Sequence, residues 1–214
     1  MKTDILFDLD GTLTNPFVGI TKSVQYALKS FGIEVEDNGE LDFFIGPPLG
    51  ETFMKYYGFS ERQAEKAVEK YREYFAPKGI FENELYDGVT NMLDRLRKSG
   101  KRLFIATGKP TVFSKQIAEH FGFADRFAGI YGIELSDLHR CKADTVASIL
   151  TDFSISPENA VMVGDRIFDI EAGKQNRLTT VGVSYGFAKK GELEGQADYI
   201  VDRVDELEKL LLRL

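Results

Sequence analysis

A single cysteine, Cys141, stands among 214 residues, so no disulfide forms within the chain and the core has to hold by packing. Tryptophan is absent, and six prolines are too few for a stiff extended linker. No basic run occurs: 27 Lys and Arg stand against 34 Asp and Glu, and the net charge of -7 argues against a nucleic-acid polymer as partner. No apolar run is long enough to span a bilayer. The first one is cut by Asp8 and Asp10, so neither a signal peptide nor a membrane segment is expected. A lone thiol suits a reducing compartment, and the expected location is cytoplasmic. No repeat or low-complexity tract appears. What remains, 43% hydrophobic and 29% charged, is an ordinary globular composition, at a length that admits one domain or one domain with an insertion.

The most informative stretch is Ile5-Leu6-Phe7-Asp8-Leu9-Asp10-Gly11-Thr12-Leu13-Thr14. Its apolar start shows no polar alternation, as expected of a parallel strand buried on both faces. Side chains alternate along an extended chain, so Asp8 and Asp10 point to one side while Leu9 points into packing. Two carboxylates in one small volume repel, and one holds a proton unless a cation sits between them. Gly11 permits a sharp turn, and Thr12 adds a hydroxyl and an amide. An acidic strand end that merely caps a turn is the plainer reading of this stretch.

Asp8-Leu9-Asp10-Gly11-Thr12-Leu13 resembles the signature of the haloacid dehalogenase-like hydrolases, in their magnesium-dependent phosphatase branch. The resemblance implies that Asp8 is a nucleophile that becomes an aspartyl phosphate and that Asp10 is the general acid and base.

After Thr14 the next clear buried strand is Leu103 to Ala106, and the pattern between them is helical. Ile20, Val24, Ala27, Leu28 and Phe31 repeat at helix spacing before Gly32. A second segment runs from Glu51 to Tyr57, and Ser60-Glu61-Arg62-Gln63 has the form of a capping box opening a third helix. Residues 16–84 therefore read as an all-helical unit, with 1–15 and 85–214 as the α/β core. In the resembled family such an insertion is a cap that closes over the substrate and excludes water. Within it, Phe43 to Gly50 sets two prolines between two glycines. That suits either a specificity loop of fixed shape or a rigid connection. Lys22 and Lys55 read as solvated surface in preference to substrate contacts.

The second strand ends in Thr107-Gly108-Lys109-Pro110. Thr107 offers a hydroxyl, Gly108 leaves its amide open to an oxyanion, and Val112, Phe113 and Ile117 suggest a helix starting beside them. Matched to the family pattern, Thr107 is the second phosphate-binding position; Gly11 and Gly108 join it on the phosphate. A short strand is expected at Phe127 to Gly132. Beyond it, Lys142 opens a helix against the macrodipole, a local conflict of the sort a functional residue produces. The family pattern has one lysine here, pairing with the nucleophile and the phosphate, and Lys142 fits it better than Arg140. His120 and His139 read as structural or surface, and Cys141 as packing.

Ala160 to Val163 is another buried strand, ending Gly164-Asp165-Arg166-Ile167-Phe168-Asp169. Asp165 and Asp169 share a side if a helical turn starts after Gly164. This resembles the family's acidic metal motif, with Asp165 a direct Mg2+ ligand and Asp169 acting through water or holding the site in place. Arg166 reads as a neutralising or surface residue. Strands at Thr180 to Ser184 and Tyr199 to Val201 and a final amphipathic helix complete an alternation that predicts a doubly wound parallel sheet. Ligands of such sheets gather beyond the carboxyl ends of the strands, where Asp8, Asp10, Thr107, Lys142, Asp165 and Asp169 are expected.

The implied activity is Mg2+-dependent hydrolysis of a small phosphorylated metabolite, of the phosphoglycolate or nucleoside 5'-monophosphate type, by a monomer or weak dimer. In that chemistry the metal set is Asp8, the Asp10 carbonyl, Asp165 and Asp169. A sugar-phosphate mutase on the same scaffold is the alternative enzyme, and a non-catalytic binding module the alternative class. A dehalogenase has no use for Asp10.

Overall fold

A computed structural model describes residues 2–135 and 141–214. The chain divides into two compact units, one of residues up to Asn15 with Leu85–Leu214 and one of Pro16–Glu84. In chain order the elements are β1 (Asp4–Phe7), β2 (Thr14–Asn15), α1 (Phe17–Lys29), α2 (Leu49–Tyr57), α3 (Glu61–Phe75), β3 (Glu84–Leu85), α4 (Val89–Lys98) and β4 (Arg102–Pro110). They continue with α5 (Thr111–His120), β5 (Gly129–Ile133), α6 (Lys142–Asp152), β6 (Ala160–Gly164), α7 (Ile167–Gln175), β7 (Thr179–Val183), β8 (Tyr199–Val201) and α8 (Val204–Arg213).

The first unit is an α/β fold on a sheet ordered β5-β4-β1-β6-β7-β8, every pair parallel. All four residues of β1 are buried, which is why its sequence carries no alternation. The chain builds outward from β1 through β4 to β5, then restarts on the other side with β6, β7 and β8. The reversal leaves a crevice beyond the carboxyl ends of β1, β4 and β6. Register brings those ends level, since Phe7 lies opposite both Ile105 and Val163. The residues that follow on each strand are therefore delivered together.

On one face Leu6, Phe104 and Met162, aligned across three strands, pack with Val146 and Ile149 of α6. Each such side chain contributes about 1.5–3 kcal/mol on burial. This packing positions the start of α6, where Lys142 sits. The helical unit holds its own core, in which α1 buries Ile20, Val24, Ala27 and Leu28. Around it stand Phe31 and Phe59 with ring centres 4.7 Å apart and Phe44 and Phe53 at 4.8 Å. Helix α3 opens with the Ser60 N–H donating to Gln63 Oε1 at 2.9 Å.

Several boundaries differ from the sequence reading. Strand β4 continues to Pro110, because its pairing with β5 breaks after Ala106 opposite Tyr131 and resumes at Pro110 opposite Ile133. Two more residues lie on β4 than on β5 across that gap, so Thr107 to Lys109 form an irregular bulged segment. The strand expected at Phe127 begins at Gly129; the preceding Ala124–Arg126 is a 3-10 turn, with Arg126 Nε on Asp94 at 2.7 Å. Helix α7 begins at Ile167, and Arg166 is extended, so Asp165 and Asp169 do not share one helical turn. Among the described residues no helix is long and apolar enough to cross a membrane.

Candidate active site

Asp8 follows the last residue of β1 and is buried, while Leu9 beside it is packed at 0% exposure. The chain then turns, with the Leu13 N–H donating to the Leu9 carbonyl at 2.9 Å and Gly11 at φ +83. A Cβ on Gly11 would collide with the Asp165 carboxylate, so this turn and the end of β6 are in direct contact.

From α6, Lys142 reaches Asp8 Oδ2 at 2.9 Å and Asp169 Oδ1 at 2.5 Å. Burial opposes its charge, but Asp169 and Asp8 outweigh that and hold the ammonium above the usual lysine range. Asp169 reaches its position by capping α7: its Oδ2 accepts the Arg166 N–H at 2.9 Å. Both Asp169 oxygens thus have partners. Asp165 Oδ2 accepts the Phe187 N–H at 2.8 Å, and the Thr12 hydroxyl donates to Oδ1 at 3.4 Å. From the bulge of β4, Lys109 places Nζ 2.5 Å from Asp10 Oδ2. Thr107 is buried, and its Oγ1 accepts the Lys109 N–H at 3.2 Å. A Cβ on Gly108 would come 3.8 Å from Lys142 Cε, which puts that glycine beside the same lysine.

One carboxylate oxygen of each of Asp8, Asp165 and Asp169 lies within 4.8 Å of the others, all three residues buried. The Asp10 side chain stands outside that trio, committed to Lys109. Two buried oxygens, Asp8 Oδ1 and Asp10 Oδ1, have no hydrogen-bond partner. Among the described residues, four carboxylates against two lysines leave two formal negative charges in a buried volume. Burial, then repulsion from Asp169 and Asp8, pushes Asp165 well up; burial raises Asp169 despite Lys142, and burial raises Asp10 despite Lys109. A doubly negative pocket in which carboxylate oxygens of three buried aspartates converge within 4.8 Å fits a hard divalent cation.

The structure thus draws together Asp8, Gly11, Gly108, Lys142, Asp165 and Asp169, and ties Asp10 and Thr107 in through Lys109. His139 and Arg140 lie outside the described residues. Two readings are corrected. Arg166 is buried and its Nε pairs with Glu192 at 2.9 Å, so it is not a surface residue. Cys141 is exposed, not packed, and its Sγ donates to Asp144 Oδ2 at 3.2 Å at the head of α6. The backbone of Phe187, in the loop after β7, carries the N–H that holds Asp165. Lys109 was also missed. It lies in the bulge of β4, where the regular alternation of a strand no longer tells which way a side chain points.

The family model for haloacid dehalogenase-like hydrolases matches residues 5–183. The chain belongs to that family. Among haloacid dehalogenase-like relatives, a 5'-nucleotidase of Pseudomonas aeruginosa is 44% identical over 190 residues, covering 89% of this chain and 86% of its own. A solved structure described as a predicted phosphatase from Clostridium acetobutylicum superposes with TM-score 0.96 at 46% identity, over 100% of both chains. The tyrosine-protein kinase PtkA of Mycobacterium tuberculosis is 33% identical over 97% of this chain and 72% of its own. Phosphatases predominate among the names of this haloacid dehalogenase-like group, and the chain is an enzyme of that class.

Proposed function

We propose that this protein is a Mg2+-dependent phosphatase that hydrolyses a small phosphomonoester, of the phosphoglycolate or nucleoside 5'-monophosphate type, through a phosphoaspartate on Asp8. The supporting observation is the asymmetry of Asp8: Lys142 holds Oδ2 at 2.9 Å, and Oδ1 is buried without a partner. That is how a carboxylate is set to attack with one oxygen while the other is fixed.

Asp8, Asp165, Asp169 and the Asp10 carbonyl are the groups that would hold the cation, Asp169 through water. When bound, Mg2+ supplies charge neutralisation between the attacking carboxylate and the phosphoryl oxygens. Asp8 Oδ1 forms the bond to phosphorus as the bond to the leaving oxygen breaks. Thr107, the Gly108 amide and Lys142 bind the phosphoryl oxygens in this reading, whereas the Gly11 N–H expected among them donates to the Thr14 carbonyl at 2.7 Å. Asp10 gives its proton to the departing alkoxide, and burial, which raises its affinity for that proton, favours the role. Asp10 next takes a proton from water as that water attacks phosphorus and releases Asp8. The helical unit of residues 16–84 is assigned the choice of leaving group, with Phe43 to Gly50 as the candidate segment.

The test is phosphate release from a panel of phosphorylated metabolites with and without Mg2+, for the wild type and Asp8→Asn. Release that needs Mg2+ and vanishes in a folded Asp8→Asn protein is expected. Turnover retained by Asp8→Asn would reject the nucleophile, and phosphate passing between hydroxyls without release would establish a mutase.

A further inference from the structure

The acid–base assignment of Asp10 leaves open what aims that side chain. We propose that Lys109 is its positioning residue: the lysine fixes Asp10 Oδ2 so that Oδ1 alone faces the leaving oxygen and then the attacking water. This rests on the reading of Asp10 given above and extends it to a residue outside the nucleophile, phosphate and metal assignments.

Three observations carry it. Lys109 Nζ lies 2.5 Å from Asp10 Oδ2, with the two side chains only 7% and 12% exposed, so the pair is held inside the protein and not on its surface. The second oxygen, Asp10 Oδ1, is buried with no partner. A carboxylate with one oxygen clamped and the other unfilled has a single direction in which to exchange a proton. Finally, Lys109 is delivered by a special piece of backbone. The bulge of β4 carries Thr107, Gly108 and Lys109 across a gap where β5 advances by two residues and β4 by four. Within that bulge the Lys109 N–H donates to Thr107 Oγ1 at 3.2 Å. The backbone that offers Thr107 to the phosphoryl group therefore also sets the root of the lysine. The cluster's other lysine, Lys142, is spent on Asp8 and Asp169.

The consequence is specific to proton transfer. An aryl phosphate with a good leaving group forms the phosphoaspartate without help from an acid, but its hydrolysis still needs Asp10 to take a proton from water. Losing the aim of Asp10 should slow that second step and leave the first alone. An alkyl phosphate should suffer in both steps.

Lys109→Met is to be compared with the wild type by rapid mixing with p-nitrophenyl phosphate and by steady-state turnover of an alkyl phosphomonoester. The expected result is a burst of p-nitrophenol larger than that of the wild type, then a steady rate lower by about a hundredfold, the scale of a lost acid–base group. The alkyl ester should lose turnover by at least that factor, with little change in KM. No enlarged burst and a kcat near that of the wild type would overturn the proposal. So would a raised KM at unchanged kcat, which would mean that Lys109 grips the substrate anion itself. Should Lys109→Met fail to fold, as removal of a buried partner can cause, Lys109→Gln is read by the same criteria. Asp10→Asn is run alongside. If it too keeps full turnover, the acid–base reading of Asp10 has failed; if it is inactive while Lys109→Met is normal, only the positioning role has.

Discussion

Phe187 donates its backbone N–H to Oδ2 of Asp165 at 2.8 Å, tying the loop after β7 to the carboxylate that ends β6. The neighbouring residues press the same contact. The Tyr185 hydroxyl donates to the Thr12 carbonyl at 2.9 Å, and a Cβ on Gly186 would collide with the Gly11 carbonyl and with Asp165. Asp165 is thus oriented by a loop whose side chains do no chemistry of their own.

Gly186→Ala should therefore displace Asp165 and weaken Mg2+ binding by roughly 10–100-fold, the usual cost of disturbing a partner that orients a ligand. Titration calorimetry reads this directly. An unchanged affinity would show that the loop does not govern the carboxylate.

Asp169 holds Lys142 with one oxygen and the Arg166 N–H with the other. Asp169→Asn keeps an acceptor for the cap but removes a negative charge from the lysine. We expect kcat to fall by about 10–100-fold, with a stability change of only about 1 kcal/mol. A melting curve and a turnover assay on the same preparation separate the two. Equal loss of both would point to a purely structural residue.

The acidic trio also sets a pH dependence. Burial and like charge raise Asp165 well above the usual range, and burial raises Asp169 to about 6. Such groups bind more protons folded than unfolded, so stability is fullest below the unfolded carboxylate value of about 4 and is lost as pH rises through the folded one. The melting temperature of the metal-free protein should fall between about pH 5 and 7. Mg2+ should stabilise more at neutral pH than at pH 5, because it competes with those protons. A metal-free melting temperature that climbs across this window would contradict the arrangement.

Phe104 sits at 0% exposure between Leu6 and the Phe153 ring, whose centre is 4.8 Å away. Phe104→Ala should cost about 3–5 kcal/mol, read as a lower denaturant midpoint. A loss below 1 kcal/mol would mean that this core collapses around the gap.

Much of the fold was legible because burial leaves a pattern in composition. The apolar run Ile5 to Phe7 of β1 and the helical stripe of α1 follow from which faces are covered, and Ser60 with Gln63 marks a helix start by local hydrogen bonding alone. Lys109 was harder to see, since its position depends on how many residues β5 spends opposite β4, a count that neither strand carries alone. The burial of Arg166 was misread for a related reason, because its partner Glu192 lies 26 residues away along the chain.

By itself the amino-acid order determined the α/β alternation, the carboxylates waiting at strand ends and the side-chain spacing that aims Asp8 and Asp10 the same way. These are short-range matters, set by backbone periodicity and by which side chains avoid water. Tertiary structure alone decided which carboxylate oxygens are held, leaving one open on Asp8 and one on Asp10. The donors that hold them are an ammonium from β4, another from α6 and the backbone amide of Phe187. Every residue but proline owns such an amide, so no letter in the sequence marks it, and only the packing of one loop against another selects it.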